Sequence, residues 1–293
     1  MKLSTKLILS TGALCFTIGV VGLLNILQET DFEDGLSTVN IEKKIPATDT
    51  TKLSIRTDIA AVTFVKGNTD EIKVHMTGSV TAAQQQVARI NTDKVGSTWK
   101  IEAISERRAF VTGLQLEDVK SWFVSNEKQL KVEVTLPPKI LEEIKLESDT
   151  GSLNLGDIDA VILNASSDTG RITVGQFQGK QLNLESDTGR ILVNKAQGSL
   201  QLSSSTGAIE VTQLDPQSSV NAETDVGSIR LDFTSAPLST SFDLFTDVGH
   251  TSLNVPNVQI EKKERALIKA TTGSGSAKIK ARTSTGSIEI GVR

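Results

Sequence analysis

The tripeptide Asp-Thr-Gly surrounds the catalytic carboxylate of aspartic proteases, and it stands here at residues 149–151, 168–170 and 187–189. Such a protease needs two carboxylates within hydrogen-bond reach that share a proton, each set in its own lobe. Asp149, Asp168 and Asp187 instead recur at a fixed interval of 19 residues, and Asp225 and Asp247 hold the same offset before later glycines. Ser205, Thr271 and Ser284 fill that place in other units. A catalytic carboxylate does not tolerate such exchange, whereas a turn does. Asp accepts a hydrogen bond from the backbone two residues on, and Gly supplies positive φ. Asp149/Gly151, Asp168/Gly170, Asp187/Gly189, Gly207, Asp225/Gly227, Asp247/Gly249, Gly273 and Gly286 are therefore read as structural corners.

Two other chemistries are open to the same residues. A row of stacked carboxylates repels itself, and calcium bridging Asp149, Asp168 and Asp187 would relieve that. Against such a calcium ladder, Ser205 interrupts the row and Arg171 and Arg190 follow two of the corners. Glycoside cleavage needs paired carboxylates across a groove. Four residues before successive glycines stand Glu147, Ser166, Glu185, Ser203, Glu223 and Phe245. Neighbouring glutamates in that row would lie two units, about 9.6 Å, apart, a spacing that equally suits a solvated wall. The reading is non-catalytic, with no cofactor and no metal. A glycan-active enzyme using the Glu147/Glu185/Glu223 row and a calcium-stabilised surface adhesin are the alternatives.

The elements that carry these residues follow from the spacing. Two and four residues after the glycines come aliphatics such as Ile172 and Val174, or Ile191 and Val193. Five and seven before come others, such as Leu184 and Leu182, and three before every residue is small: Ser148, Ser167, Ser186, Ser204, Thr224, Thr246, Ala270 and Thr283. Period-two alternation on both sides of a corner describes two short strands with one buried face. A 19-residue unit cannot bury that face alone, so identical units must stack. The expected fold is all-β, a β-solenoid (β-helix or β-roll) of about 19-residue, two-strand coils. Asn164, Asn183, Gln201 and Asn221 would form a stacked amide ladder.

The regular repeats span residues 141–293, and residues 51–140 form an N-terminal β region of degenerate coils that caps the stack. There "LSIRTDIAAVTF" (53–64) superposes on "LNLESDTGRILV" (182–193) with Ala60 in the glycine place. The connections 81–97 and 105–128 supply the cap, the second with Leu116, Val119 and Phe123 on one helical face. Aromatics make up 4% of the chain. Trp122, Phe123 and Phe245 are the candidates for partner contact. His75 and His250 are read as surface residues.

Residues 7–27 are uncharged and mostly apolar, long enough to span a hydrocarbon core of roughly 30 Å. Lys2 and Lys6 precede this run, and Glu29, Asp31, Glu33 and Asp34 follow it. The positive-inside rule then makes it a single-pass transmembrane anchor, with residues 1–6 cytoplasmic, 28–50 a tether and the remainder extracytoplasmic at the cell membrane. A cleaved signal peptide is the rival, but no small-x-small site follows the run. Cys15 is the single cysteine, so no intrachain disulfide framework exists. The net charge of −4, with no basic tract, excludes nucleic acid as a partner. The bilayer and an envelope protein or cell-wall component are the expected partners.

The N-terminal anchor, "LSIRTDIAAVTF", "VEVTLPPKILEEIKLESDTGSLNL" and the repeated "SDTGxI" units resemble the bacterial putative-adhesin repeat family. That family includes LiaG-like membrane-anchored envelope-stress proteins of Gram-positive bacteria. The resemblance covers residues 40–293 and implies a solenoid-like extracytoplasmic domain without enzymatic activity.

Overall fold

A computed structural model describes residues 36–105 and 129–293. Alternate residues of "LNASSDT" are apolar or small, so an extended strand hides one side from water and leaves the other polar. Accordingly Leu163, Ala165 and Ser167 are buried while Asn164 and Ser166 are partly exposed.

Two sheets result. The first holds β1 (Leu36–Pro46), β3 (Ala61–Lys66), β4 (Glu71–Thr81), β7 (Lys131–Leu136), β9 (Leu153–Asn154), β10 (Asp157–Ile158), β12 (Ile172–Phe177), β14 (Ile191–Ala196), β16 (Ile209–Leu214), β18 (Ile229–Phe233), β20 (Thr251–Asn254) and β24 (Ile288–Val292). The second holds β2 (Lys52–Ile59), β5 (Arg89–Val95), β6 (Thr98–Ile104), β8 (Leu141–Thr150), β11 (Ala160–Thr169), β13 (Gln181–Thr188), β15 (Ser199–Thr206), β17 (Ser219–Val226), β19 (Thr240–Val248), β21 (Gln259–Lys263), β22 (Leu267–Thr272) and β23 (Ala277–Thr285).

From β8 to β18 each coil contributes a strand to the second sheet, turns at its glycine, and contributes a strand to the first. Successive coils pair in parallel without slippage at the corner: Leu182 lies beside Leu163 and Leu200, and Ile191 beside Ile172 and Ile209. These residues are all buried and form one core between the sheets. Each such aliphatic contributes about 1.5–3 kcal/mol of burial.

Beyond β18 the chain departs from the expected order. The sequence places the corners of Gly249, Gly273 and Gly286 one after another, but the last coil, β23–β24, inserts between the coil of Gly227 and the coil of Gly249. Thus β17 pairs with β23 and β23 with β19, while β18 pairs with β24 and β24 with β20. Gly273 is not a corner of the stack. Its φ of +54° belongs to the turn after β22, which runs antiparallel to β19 and β21. Alternation alone cannot separate these arrangements, because β22 has the same period as the strands it was grouped with.

The N-terminal region combines parallel and antiparallel pairing. β2 lies between β6 and β8, all parallel, and Ala60 does occupy the corner place: a Cβ on Gly151 would collide with the Ala60 carbonyl. The connection after β4 supplies the helix Ala82–Val87 and β5, the outermost strand of the second sheet. Residues 36–46, assigned by sequence to the tether, are instead β1, the edge strand of the first sheet, paired antiparallel to β4 with Val39 and Ile45 buried. The charged run Glu42–Lys44 hides that alternation, yet it suits an edge strand, where charge deters pairing with another chain. The opposite edge of the second sheet, β21, is exposed at all five residues and carries Glu261, Lys262 and Lys263. The anchor at 7–27, the helical face of Leu116 and Val119, and the contact candidates Trp122 and Phe123 lie outside the described residues. Among the described residues no helix is long and apolar enough to cross a membrane.

Candidate functional site

The corner is built by glycine and hydroxyl together. At Gly170, Gly189, Gly207, Gly227, Gly286 and Gly249, an added Cβ would lie well under 3.0 Å from the carbonyl oxygen of the neighbouring corner glycine. The backbone there adopts φ between +149° and +159°, a region L side chains avoid. Each small residue three before the glycine is buried and donates its hydroxyl to that same carbonyl. Ser186 reaches Gly170 at 3.1 Å, Ser204 reaches Gly189 at 3.2 Å and Thr224 reaches Gly207 at 3.0 Å. Thr283 reaches Gly227 at 3.0 Å and Thr246 reaches Gly286 at 2.9 Å, following stack order instead of chain order.

The aspartates have a different place from the one expected. No hydrogen bond from the backbone two residues on reaches Asp168, Asp187, Asp225 or Asp247; a turn of that kind closes at Asp215, where the Gln217 N–H donates at 2.9 Å. Asp168, Asp187, Asp225 and Asp247 are exposed, and Asp149 pairs with Arg56 at 3.5 Å. Among the described residues no group of three or more His, Cys, Asp or Glu side chains is placed to hold a metal ion, so Asp149, Asp168 and Asp187 do not converge as calcium ligands would.

The outer face of the second sheet carries the remaining polar residues. Asn183 donates to Asn164 at 2.6 Å, the first step of the expected amide ladder, and Asn164 donates in turn to the Glu143 carboxylate at 2.9 Å. Glu147 pairs with Lys145 at 2.6 Å and Glu223 with Lys280 at 2.7 Å. A glycosidase acid must hold its proton near neutrality, with a raised pKa. The Lys280 ammonium acts in the opposite sense, holding the Glu223 carboxyl below the usual carboxylate range.

Chain insertion also changes the neighbours of Phe245. Sequence order sets it beside Glu223, but β23 intervenes and places Arg282 between them. The Arg282 guanidinium lies 5.8 Å from the Phe245 ring centroid and pairs with Asp243 at 3.0 Å. Arg282 was missed although it stands four before Gly286, in the Glu/Ser row. Asp232, also missed, is a nearly buried carboxylate clamped by Arg230 and Arg293, each at 3.2 Å; it raises the Arg230 pKa through their hydrogen bond. His75 meets Asn40 at 2.8 Å on the outer face, and His250 is exposed.

This repeating two-sheet β architecture matches a family model. The Toastrack DUF4097 model covers residues 50–291, and the chain belongs to that family. Among solved structures, a putative cell adhesion protein from Clostridium sporogenes is 14% identical, covering 88% of this chain and 100% of its own, with a TM-score of 0.43. A putative adhesin from Bacteroides fragilis is 13% identical, covering 87% and 98%, with a TM-score of 0.47. No curated protein matched.

Proposed function

We propose that this chain is a non-catalytic binding module of the cell envelope, adhesin-like, held at the outer surface of the membrane by residues 7–27. The observation that carries the binding role is the outer face of the second sheet, a rigid polar surface whose most regular acids, Glu147 and Glu223, are committed to lysines. The apolar run and its flanking charges support the anchor. An association with envelope stress is part of the same proposal and rests on the family resemblance.

The test is fractionation of cells expressing the full chain, followed by protease treatment of intact spheroplasts. The chain is expected in the carbonate-resistant membrane pellet, with everything after residue 35 digested from outside. Recovery in the soluble fraction, or protection from external protease, overturns the tethered reading.

A further inference from the structure

Two shallow depressions on the outer face of the second sheet share Ser203 and merge into one groove. The first is lined by Lys145, Glu147, Asn164, Asn183, Glu185 and Gln201. The second is lined by Ser205, Glu223, Asp225, Phe245, Asp247 and Arg282. Together they run along the stack axis, the first across β8, β11, β13 and β15 and the second across β15, β17, β23 and β19. At about 4.8 Å per strand the groove is roughly 29 Å long. Its floor is a parallel ladder fixed by the corners, so little ordering is needed when something binds.

We propose that this groove binds a neutral, hydroxyl-rich polysaccharide laid along the stack axis, with Phe245 and Arg282 at its distal end. The inference rests on the binding-module reading and names its ligand. Charge decides against a polyanion. Lys145, Lys280 and Arg282 are each paired with a carboxylate of the same face, so none is left to attract a polyanion. A protein partner is disfavoured as well, because such interfaces centre on a desolvated apolar cluster. The middle of this groove presents Ser166, Glu185, Ser203 and Glu223.

What the groove offers is hydrogen bonding. Among the described residues no protein donor closes on Glu185, Asp225 or Asp247, and these carboxylates accept from hydroxyl groups. The Ser203 and Ser205 hydroxyls can donate or accept. At the distal end stands Phe245, half-buried, with Leu267 opposite it on β22 and the Arg282 guanidinium against its ring. It is the one outward-facing aromatic among the described residues of the stack. An apolar ring edge beside accepting carboxylates matches the mixed C–H and O–H surface of a sugar.

The experiment uses the full chain in detergent and washed envelope fragments from cells that express it. Fragments are left untreated, digested with protease, or oxidised with periodate, which cleaves vicinal diols. The chain is expected to sediment with untreated and protease-digested fragments and to lose binding after periodate. Phe245→Leu and Asp247→Asn are each expected to weaken binding by about tenfold with an unchanged melting temperature. Binding that survives periodate and disappears with protease assigns a protein partner and overturns the glycan, leaving the binding module intact. No sedimentation with untreated fragments overturns both. Should Phe245→Leu lower the melting temperature, Asp247→Asn and Glu185→Gln decide, and wild-type binding by both removes the groove from the ligand site.

Discussion

The coils closed by Gly170, Gly189 and Gly207 and those closed by Gly286 and Gly249 use the same contacts but are assembled differently along the chain. In the first set each coil stacks on the one synthesised just before it. In the second, the coil of Gly286 arrives last and enters between two coils already made. Yet the glycine approach and the hydroxyl-to-carbonyl bond are the same in both: Ser186 to Gly170 and Thr283 to Gly227 differ only in the chain length between partners. Local chemistry therefore fixes how two coils touch, while their order is a separate matter of which coil finds which.

The comparison can be broken most severely at a corner. Gly189→Ala forces a methyl onto the Gly170 carbonyl, where only backbone could yield. The expected loss exceeds about 4 kcal/mol, and a far-ultraviolet melt should show the variant largely unfolded at room temperature. Next comes the inserted coil. Ala281 is fully buried, and Ala281→Asp places an unpaired charge there at about 3 kcal/mol. Because the strands of the Gly249 coil pair with the rest of the stack through β23 and β24, hydrogen exchange should rise together over 240–292 and stay slow over 141–214. Uniform loss of protection would show that the two regions are not separable. Smaller still is Ser186→Ala, which deletes one hydroxyl bond to a corner carbonyl for about 1–2 kcal/mol. Gly96→Ala calibrates the series. It has the positive φ without the close neighbour, so its melting-point loss should reflect about 1 kcal/mol of backbone strain.

Much of this architecture is legible in the residues themselves. The alternation of Leu182, Leu184, Ile191 and Val193 gives the strands, and the recurrence of a small residue before each glycine gives the corner. Even Ala60, with no glycine to mark it, falls into place by superposition. Chain order is not legible, because coils of equal pattern are interchangeable partners and nothing in "ARTSTGSIEI" states that it belongs beside "NAETDVGSIR". β1 is hidden for a related reason: an edge strand keeps only one face dry and fills the other with charge, which makes it read as linker. The groove is half legible. Its acids and amides follow from their offsets, but the meeting of Arg282 with Phe245 depends on the insertion.

That insertion has a consequence for how the protein is made. Residues 234–239 bridge from β18 to β19 while leaving room for a whole coil between them, and the strands that fill it begin at Ala277. A polypeptide that stops short of that point has a gap one strand wide in both sheets, with unpaired backbone on either side. Completion is thus withheld until β24 has emerged. An interrupted product announces itself to proteases through the open slot at its distal end.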